Sequence, residues 1–363
     1  MIDNRMGDSG MEDNRIQDNR MEDKEDYLST LNERQLDAVT TTEGYVRIIA
    51  GAGTGKTKAL THRYAYLVNE LGISTSNILC VTFTNKAARE MSKRIRQMIG
   101  DSDTGYICTF HGFCVKLLRE DIHAINFPQN FVVMDDEDTE EILKTVYENA
   151  HIQSRTYTFD SARDHITALK SQMLHIPYLA EIGNEKLLAD YEKAEKVEDK
   201  VFLGYLYEQK KVYGLDYDDL ITIALYILQT DETKRIKWQE RMMYVMVDEF
   251  QDVSSSQYAL AEILSGYHRN LFIVGDPDQT IYTWRGAQIE YILEFDETHE
   301  NTRTIFLDMN YRSTPEILAV SNSLIEKNKK RLPHRLEAYK ESGRRPIYIP
   351  VSYTHLTLPT KLE

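Results

Sequence analysis

The chain has 363 residues, 42% of them hydrophobic and 28% charged, enough for two domains and a sizeable core. Its net charge of −15, from 43 basic and 58 acidic residues, argues against coating nucleic acid by bulk electrostatics but permits a narrow groove with local cations. No run approaches the roughly 20 apolar residues of a membrane span, there is no apolar signal-peptide core, and Cys80, Cys108 and Cys114 are too few and too badly spaced for a disulfide framework or zinc site. A cytoplasmic protein with reduced core thiols and no membrane partner is expected.

Residues 1–27 repeat an acidic-Asn-Arg unit (IDNRM, MEDNR, IQDNR, MEDK) and carry nine acidic and four basic side chains. Such a segment buries too little apolar surface to offset chain entropy, so a disordered acidic leader is expected. From Leu31 the texture changes. YVRIIA (Tyr45–Ala50) reads as a β-branched strand ending in a Gly-rich turn, followed by a helical pattern through Leu60, Leu67, Val68 and Leu71. ILCVTFT (Ile78–Thr84) predicts a second strand, followed by the helical KAAREMSKRIRQMI. Residues 120–214 are charged and helical in period, a pattern that predicts a helical insertion. YVMVDEF (Tyr244–Phe250), LFIVGD (Leu271–Asp276) and TIFLDMN (Thr304–Asn310) predict further strands, the last followed by the helical PEILAVSNSLIEKN. Apolar strands alternating with helices predict an α/β fold with a parallel sheet covered on both faces.

The strand ends carry the chemistry. AGAGTGKT comprises Ala50, Gly51, Ala52, Gly53, Thr54, Gly55, Lys56 and Thr57, and lies between a predicted strand and helix. Its glycines let backbone N–H groups wrap phosphate oxygens while the helix points its positive end at them. Lys56 is placed to reach the β- and γ-phosphates, and Thr57 to ligate Mg²⁺. Ala50 occupies the first Gly position of this P-loop pattern. In VMVDEFQD, Asp248 suits Mg²⁺ binding through water and Glu249 suits positioning or deprotonating the attacking water. In VGDPDQTIYTWRGA, Asp276 and Gln279 lie where a strand tip could sense the γ-phosphate, and Tyr282 and Trp284 could form a base-stacking platform. Phe83 with Asn85, Lys86 and Arg89, and Thr109 with His111 in TFHGF, repeat this aromatic-plus-polar theme for bases and phosphates.

These blocks, with LNERQLDAV (Leu31–Val39), GLDYDDL (Gly214–Leu220) and LDMNYRST (Leu307–Thr314), follow the order and wording of superfamily 1 helicases of the UvrD/Rep/PcrA type. The chain resembles the N-terminal portion of that family over residues 28–350. The resemblance implies a RecA-like P-loop domain (28–119 and 215–287), a helical insertion (120–214) and the beginning of a second RecA-like domain (288–350). It implies ATP and Mg²⁺ as cofactors, single-stranded DNA and duplex junctions as partners, and ATP-driven 3′–5′ movement in repair, replication or recombination. By the same resemblance Gln35 reads adenine, Tyr311 stacks on it, Arg312 is an arginine finger, and Phe83, Tyr282 and Trp284 stack on bases. Lys58 stands where arginine is common in the family, keeping the charge but losing planar stacking. The last 13 residues, VSYTHLTLPTKLE, match nothing expected of the family and read as a non-native tail. A chain with only the start of its second domain is expected not to unwind DNA. Two other readings stay open: a non-catalytic ATP- and single-strand-binding fragment, or the helicase part of a recombination helicase–nuclease.

Overall fold

The computed structural model describes residues 27–100 and 103–347, so the expected acidic leader (save Tyr27) and the tail at 351–363 lie outside the described residues. The strands are β1 (Tyr45–Ala50), β2 (Ile78–Val81), β3 (Tyr106–Cys108), β4 (Val132–Val133), β5 (Gly214–Leu215), β6 (Tyr244–Val247), β7 (Leu271–Gly275), β8 (Arg303–Leu307), β9 (Met309–Asn310) and β10 (Glu337–Ala338). Six of them form one parallel sheet in the order β3-β2-β6-β7-β1-β8. Parallel strands need crossovers, and the intervening helices cover both faces.

The strands obey the two-residue alternation of a sheet buried on both sides. Val46, Ile48, Ala50, Ile78, Cys80, Met246, Phe272 and Val274 meet helices Lys56–Asn69 and Asn85–Ile99 on one face. Ile49, Leu79, Val81, Val245, Val247, Leu271 and Ile273 meet helices Phe110–Asp121, Tyr217–Thr230 and Ser255–Ser265 on the other. Arg47 is the exception within β1. It is 2% exposed, pairs with Asp296 at 2.8 Å, donates to the Ile292 and Leu293 carbonyls and to Thr304 Oγ1. A buried guanidinium is tolerable only with such partners, and these fasten the segment before β8 to β1, one strand in from the sheet edge.

Between β4 and β5 the chain is helical and forms a cluster of its own, including Leu143, Tyr147, Ile166, Leu187, Phe202 and Leu206. The two-residue parallel ladder of β4 and β5 closes its base. Helix Phe110–Asp121, which overlaps the start of the expected insertion at residue 120, buries its apolar side in the core of the main sheet.

One expectation needs correction. The sequence reading begins a second domain at Gln288, yet β8 lies beside β1 over Val46–Ala50 and Arg303–Leu307 as the edge strand of the same sheet. The physical reason is that Ile305 and Leu307 complete the apolar face beside β1, while Arg47 ties down the preceding turn. The run TIFLDMN is also two strands, because β9 leaves the sheet after Asp308 and pairs with β10. No helix among the described residues is long and apolar enough to cross a membrane.

Candidate active site

Ala50 closes β1 and is fully buried. The loop after it turns through Gly53 at φ 74° and Gly55 at φ 90°, left-handed conformations that favour glycine. Gly55 also caps helix Lys56–Asn69, and among the described residues no side chain caps it, which leaves the amide groups of that first turn available to an anion. Thr54 Oγ1 donates to the Gly51 carbonyl at 2.8 Å, bracing the loop from within.

Lys56 Nζ lies 2.8 Å from Glu249 Oε2. Glu249 follows β6 in a left-handed conformation, φ 48° and ψ 45°, a strained setting for a side chain with a Cβ and one typical of functional positions. Asp248 is 7% exposed; burial, with the charge of Glu249, pushes its carboxyl up to about 6. Its Oδ2 accepts from Thr82 Oγ1 at 3.3 Å, whereas its buried Oδ1 has no hydrogen-bond partner among the described residues. A buried carboxylate oxygen left without a partner among the described residues suits a divalent cation, and Thr57, in the first turn of helix Lys56–Asn69, is the further oxygen expected from the sequence.

Gln251, to which sequence reasoning gives no role, joins two strand ends. Its Nε2 donates to Glu249 Oε2 at 3.0 Å and its Oε1 accepts from the Asp276 amide at 3.0 Å. A Cβ on Gly275 would lie 2.5 Å from that Oε1, so any larger residue there would displace the Gln251 amide. Gln279 Nε2 donates to Asp276 Oδ2, and burial raises the Asp276 carboxyl above its ordinary range.

The far wall comes from the segment after β8. Asn310 Nδ2 donates to the Ala52 carbonyl at 2.5 Å, and the Tyr311 amide donates to the Gly53 carbonyl at 2.9 Å. Arg312 therefore sits against the loop, and a Cβ on Gly53 would lie 2.7 Å from Arg312 Cβ. The role of Asn310 is likewise missed by sequence reasoning; an asparagine between a strand and a turn was its only signal. Gln35 is 1% exposed. Its Oε1 completes a capping box with Asn32, which leaves Nε2 to reach the Thr54 carbonyl at 2.9 Å. Asn32 Nδ2 donates to the Tyr311 hydroxyl at 2.6 Å, closing the ring of contacts. Lys58 points outward to the Thr30 carbonyl at 2.5 Å.

On the aromatic side, Phe83 and Tyr282 stack at 4.9 Å with 23° between planes, and Trp284 lies 6.3 Å from Tyr282. Trp284 is 72% exposed, a surface ring and not core. Asn85 opens the helix after Phe83, capped by Thr84. The described contacts of Thr109 and His111 lie on their own helix and its neighbour. Thr109 caps its own helix at the Gly112 amide, 3.1 Å away, and His111 packs edge-on against Tyr217 at 5.4 Å.

Residues 31–300 match the family model described as the UvrD/REP helicase N-terminal domain. Over 322 residues, 88% of this chain, the sequence is 38% identical to the ATP-dependent DNA helicase PcrA of Staphylococcus aureus strain Mu50. Over 317 residues, 87% of the chain, it is 38% identical to the PcrA helicase of Staphylococcus epidermidis. The matches cover 43% and 42% of those relatives, so the chain spans less than half their length. Phosphate loop, acidic strand end and aromatic cluster thus stand in a shared sequence frame, and the chain belongs to the UvrD/Rep helicase family.

Proposed function

We propose that this chain hydrolyses ATP and couples hydrolysis to movement on single-stranded DNA, in the 3′–5′ direction and at duplex junctions, in DNA repair, replication or recombination. The observation that carries the reading is the meeting of Lys56 and Glu249 beside the unmatched Asp248 oxygen, at an uncapped helix N-terminus. The relatives are named ATP-dependent DNA helicases, which supports the same assignment.

In this reading Mg²⁺, when bound, supplies charge stabilisation at the transferring phosphate. Thr57 and Asp248 hold it. Incoming phosphate breaks the Lys56–Glu249 pair: Lys56 turns to the β- and γ-phosphates, and Glu249 is released to orient the attacking water and accept its proton. Gln251 holds Glu249 from one side and the Asp276 amide from the other, so the base and the γ-phosphate-sensing strand end move as a unit. Gln279 and Arg312, which border one cavity with Gly51 and Ala52, are directed to the same phosphate in this reading. Gln35 and Tyr311 bracket adenine. Phe83, Tyr282 and Trp284 receive bases, with Asn85, Thr109 and His111 along the strand's path.

The test separates binding from chemistry. Glu249→Gln retains MgATP binding while DNA-stimulated turnover falls by about 10²-fold or more. Lys56→Ala weakens nucleotide binding itself. Near-normal turnover in the Glu249 variant removes that residue from catalysis and leaves only a nucleotide-binding fragment.

A further inference from the structure

The site above uses one end of helix Asn85–Ile99; its flank is a separate feature. Arg89, Lys93 and Arg96, spaced i, i+4 and i+7, lie along one side of the helix and are exposed. They border a groove of about 680 Å³ that runs from Asn85 along the helix, with Ile107 and Cys108 of the sheet-edge strand β3 as its other wall. Among the described residues none of these three cations has an ion-pair partner, whereas their neighbour Arg94 is paired with Glu90. At 1.5 Å of rise per residue the three charges span about 10 Å of helix axis. Burial raises the Cys108 thiol to about 11, so that wall is uncharged at neutral pH. In a chain of net charge −15, three exposed cations along one groove mark a local site for a polyanion.

We propose that this groove holds the phosphodiester backbone of the single strand after it leaves the stacking cluster, lengthening the DNA footprint down the flank of the sheet. The proposal rests on the DNA reading above. Its argument is continuity: Phe83 stacks on Tyr282, Asn85 follows two residues later at the mouth of the groove, and the cations continue from there. The cations contact phosphates, which are sequence-independent, and Ile107 gives sugars an apolar wall.

Binding of labelled oligothymidylates of about 8 and about 20 nucleotides to the full chain tests this, with Arg89→Gln/Lys93→Gln/Arg96→Gln beside Trp284→Ala. The three glutamines are on an exposed face, and an unchanged thermal melt establishes that the variant is folded. The expected result is that the triple variant weakens binding of the long oligomer roughly tenfold more than that of the short one, on which only Arg89, nearest the stacking cluster, is within reach. Its salt slope on the long oligomer falls by about 2, the loss of three phosphate contacts at about 0.7 each. Trp284→Ala weakens both lengths. Parent-like affinity and slope of the triple variant on the long oligomer overturn the groove while leaving the stacking cluster intact. Failure of Trp284→Ala to weaken the short oligomer overturns the DNA reading instead. If the triple variant is parent-like on DNA but loses binding to an acidic peptide, the groove serves a protein partner and the proposal is wrong.

Discussion

At the residue scale, exposure separates roles that sequence leaves merged. A Tyr-x-Trp pair is usually core packing, but Trp284 stands 72% in solvent. Trp284→Ala is therefore expected to change stability by no more than about 0.5 kcal/mol while weakening single-strand binding by about 1–3 kcal/mol. A thermal melt beside a fluorescence titration reads both, and a destabilised variant with unchanged affinity would remove the ring from the DNA face. His299 shows the reverse case, a residue with no sequence signal that becomes legible only once packed. It lies between the rings of Tyr45 and Phe295 at 4.4 and 4.2 Å, 2.9 Å from Glu262. Burial disfavours its charged form, but Glu262 outweighs that and raises its pKa above the ordinary 6.5. Folding thus favours the protonated ring, whose contribution is complete below pH 6.5 and lost as pH rises through the folded-state value. The stability difference between the parent and Glu262→Gln should shrink on going from pH 6 to about pH 8 by that linkage. A difference that stays constant or grows refutes the assignment. The residues proposed for the nucleotide stand out in the sequence because strand ends and glycines announce them; Gln251 does not, because an amide's worth depends on which two groups it spans.

At the element scale, the joint between the insertion and the sheet domain is ionic. Asp216 and Asp219, in the GLDYDDL run, form the capping box of helix Tyr217–Thr230. Lys170 of the insertion is fully buried and bridges them at 2.5 and 2.8 Å, with the Tyr205 hydroxyl donating to Asp216 at 2.7 Å. Burial and the charge of Asp216 push the Asp219 carboxyl up; against the same burial, Lys170 holds Asp216 down. Removing the cation leaves two carboxylates in a dry joint, so Lys170→Met should cost about 3–5 kcal/mol. Chemical denaturation measures it, and a loss no larger than that of an exposed lysine would show that the joint is wet. The helical period of the insertion was readable from spacing alone. Its docking was not, since nothing local to Lys170 names a partner 46 or 49 residues away. β8 teaches the same point: TIFL announces a strand, but only the apolar face beside β1 and the Arg47 anchor decide which sheet it joins.

At the scale of the whole molecule, both the order of chemistry-bearing strand ends and the covered parallel sheet follow from the sequence, because each motif sits where an apolar run stops. The long-range adjacency of β1 and β8 does not. That adjacency has a consequence for molecularity. Arg312 lies five residues past the end of β8, and β8 runs beside the strand that opens the phosphate loop. On the proposed function, the cation needed at the γ-phosphate is tethered to its own nucleotide pocket, and its effective concentration is set by a short covalent span and not by how many chains are present. Turnover per chain is accordingly expected to be first order in protein. ATPase assays over a hundredfold dilution range, with nucleotide and DNA held in excess, should give one specific activity. A specific activity that falls on dilution would mean that the arginine arrives from a second molecule.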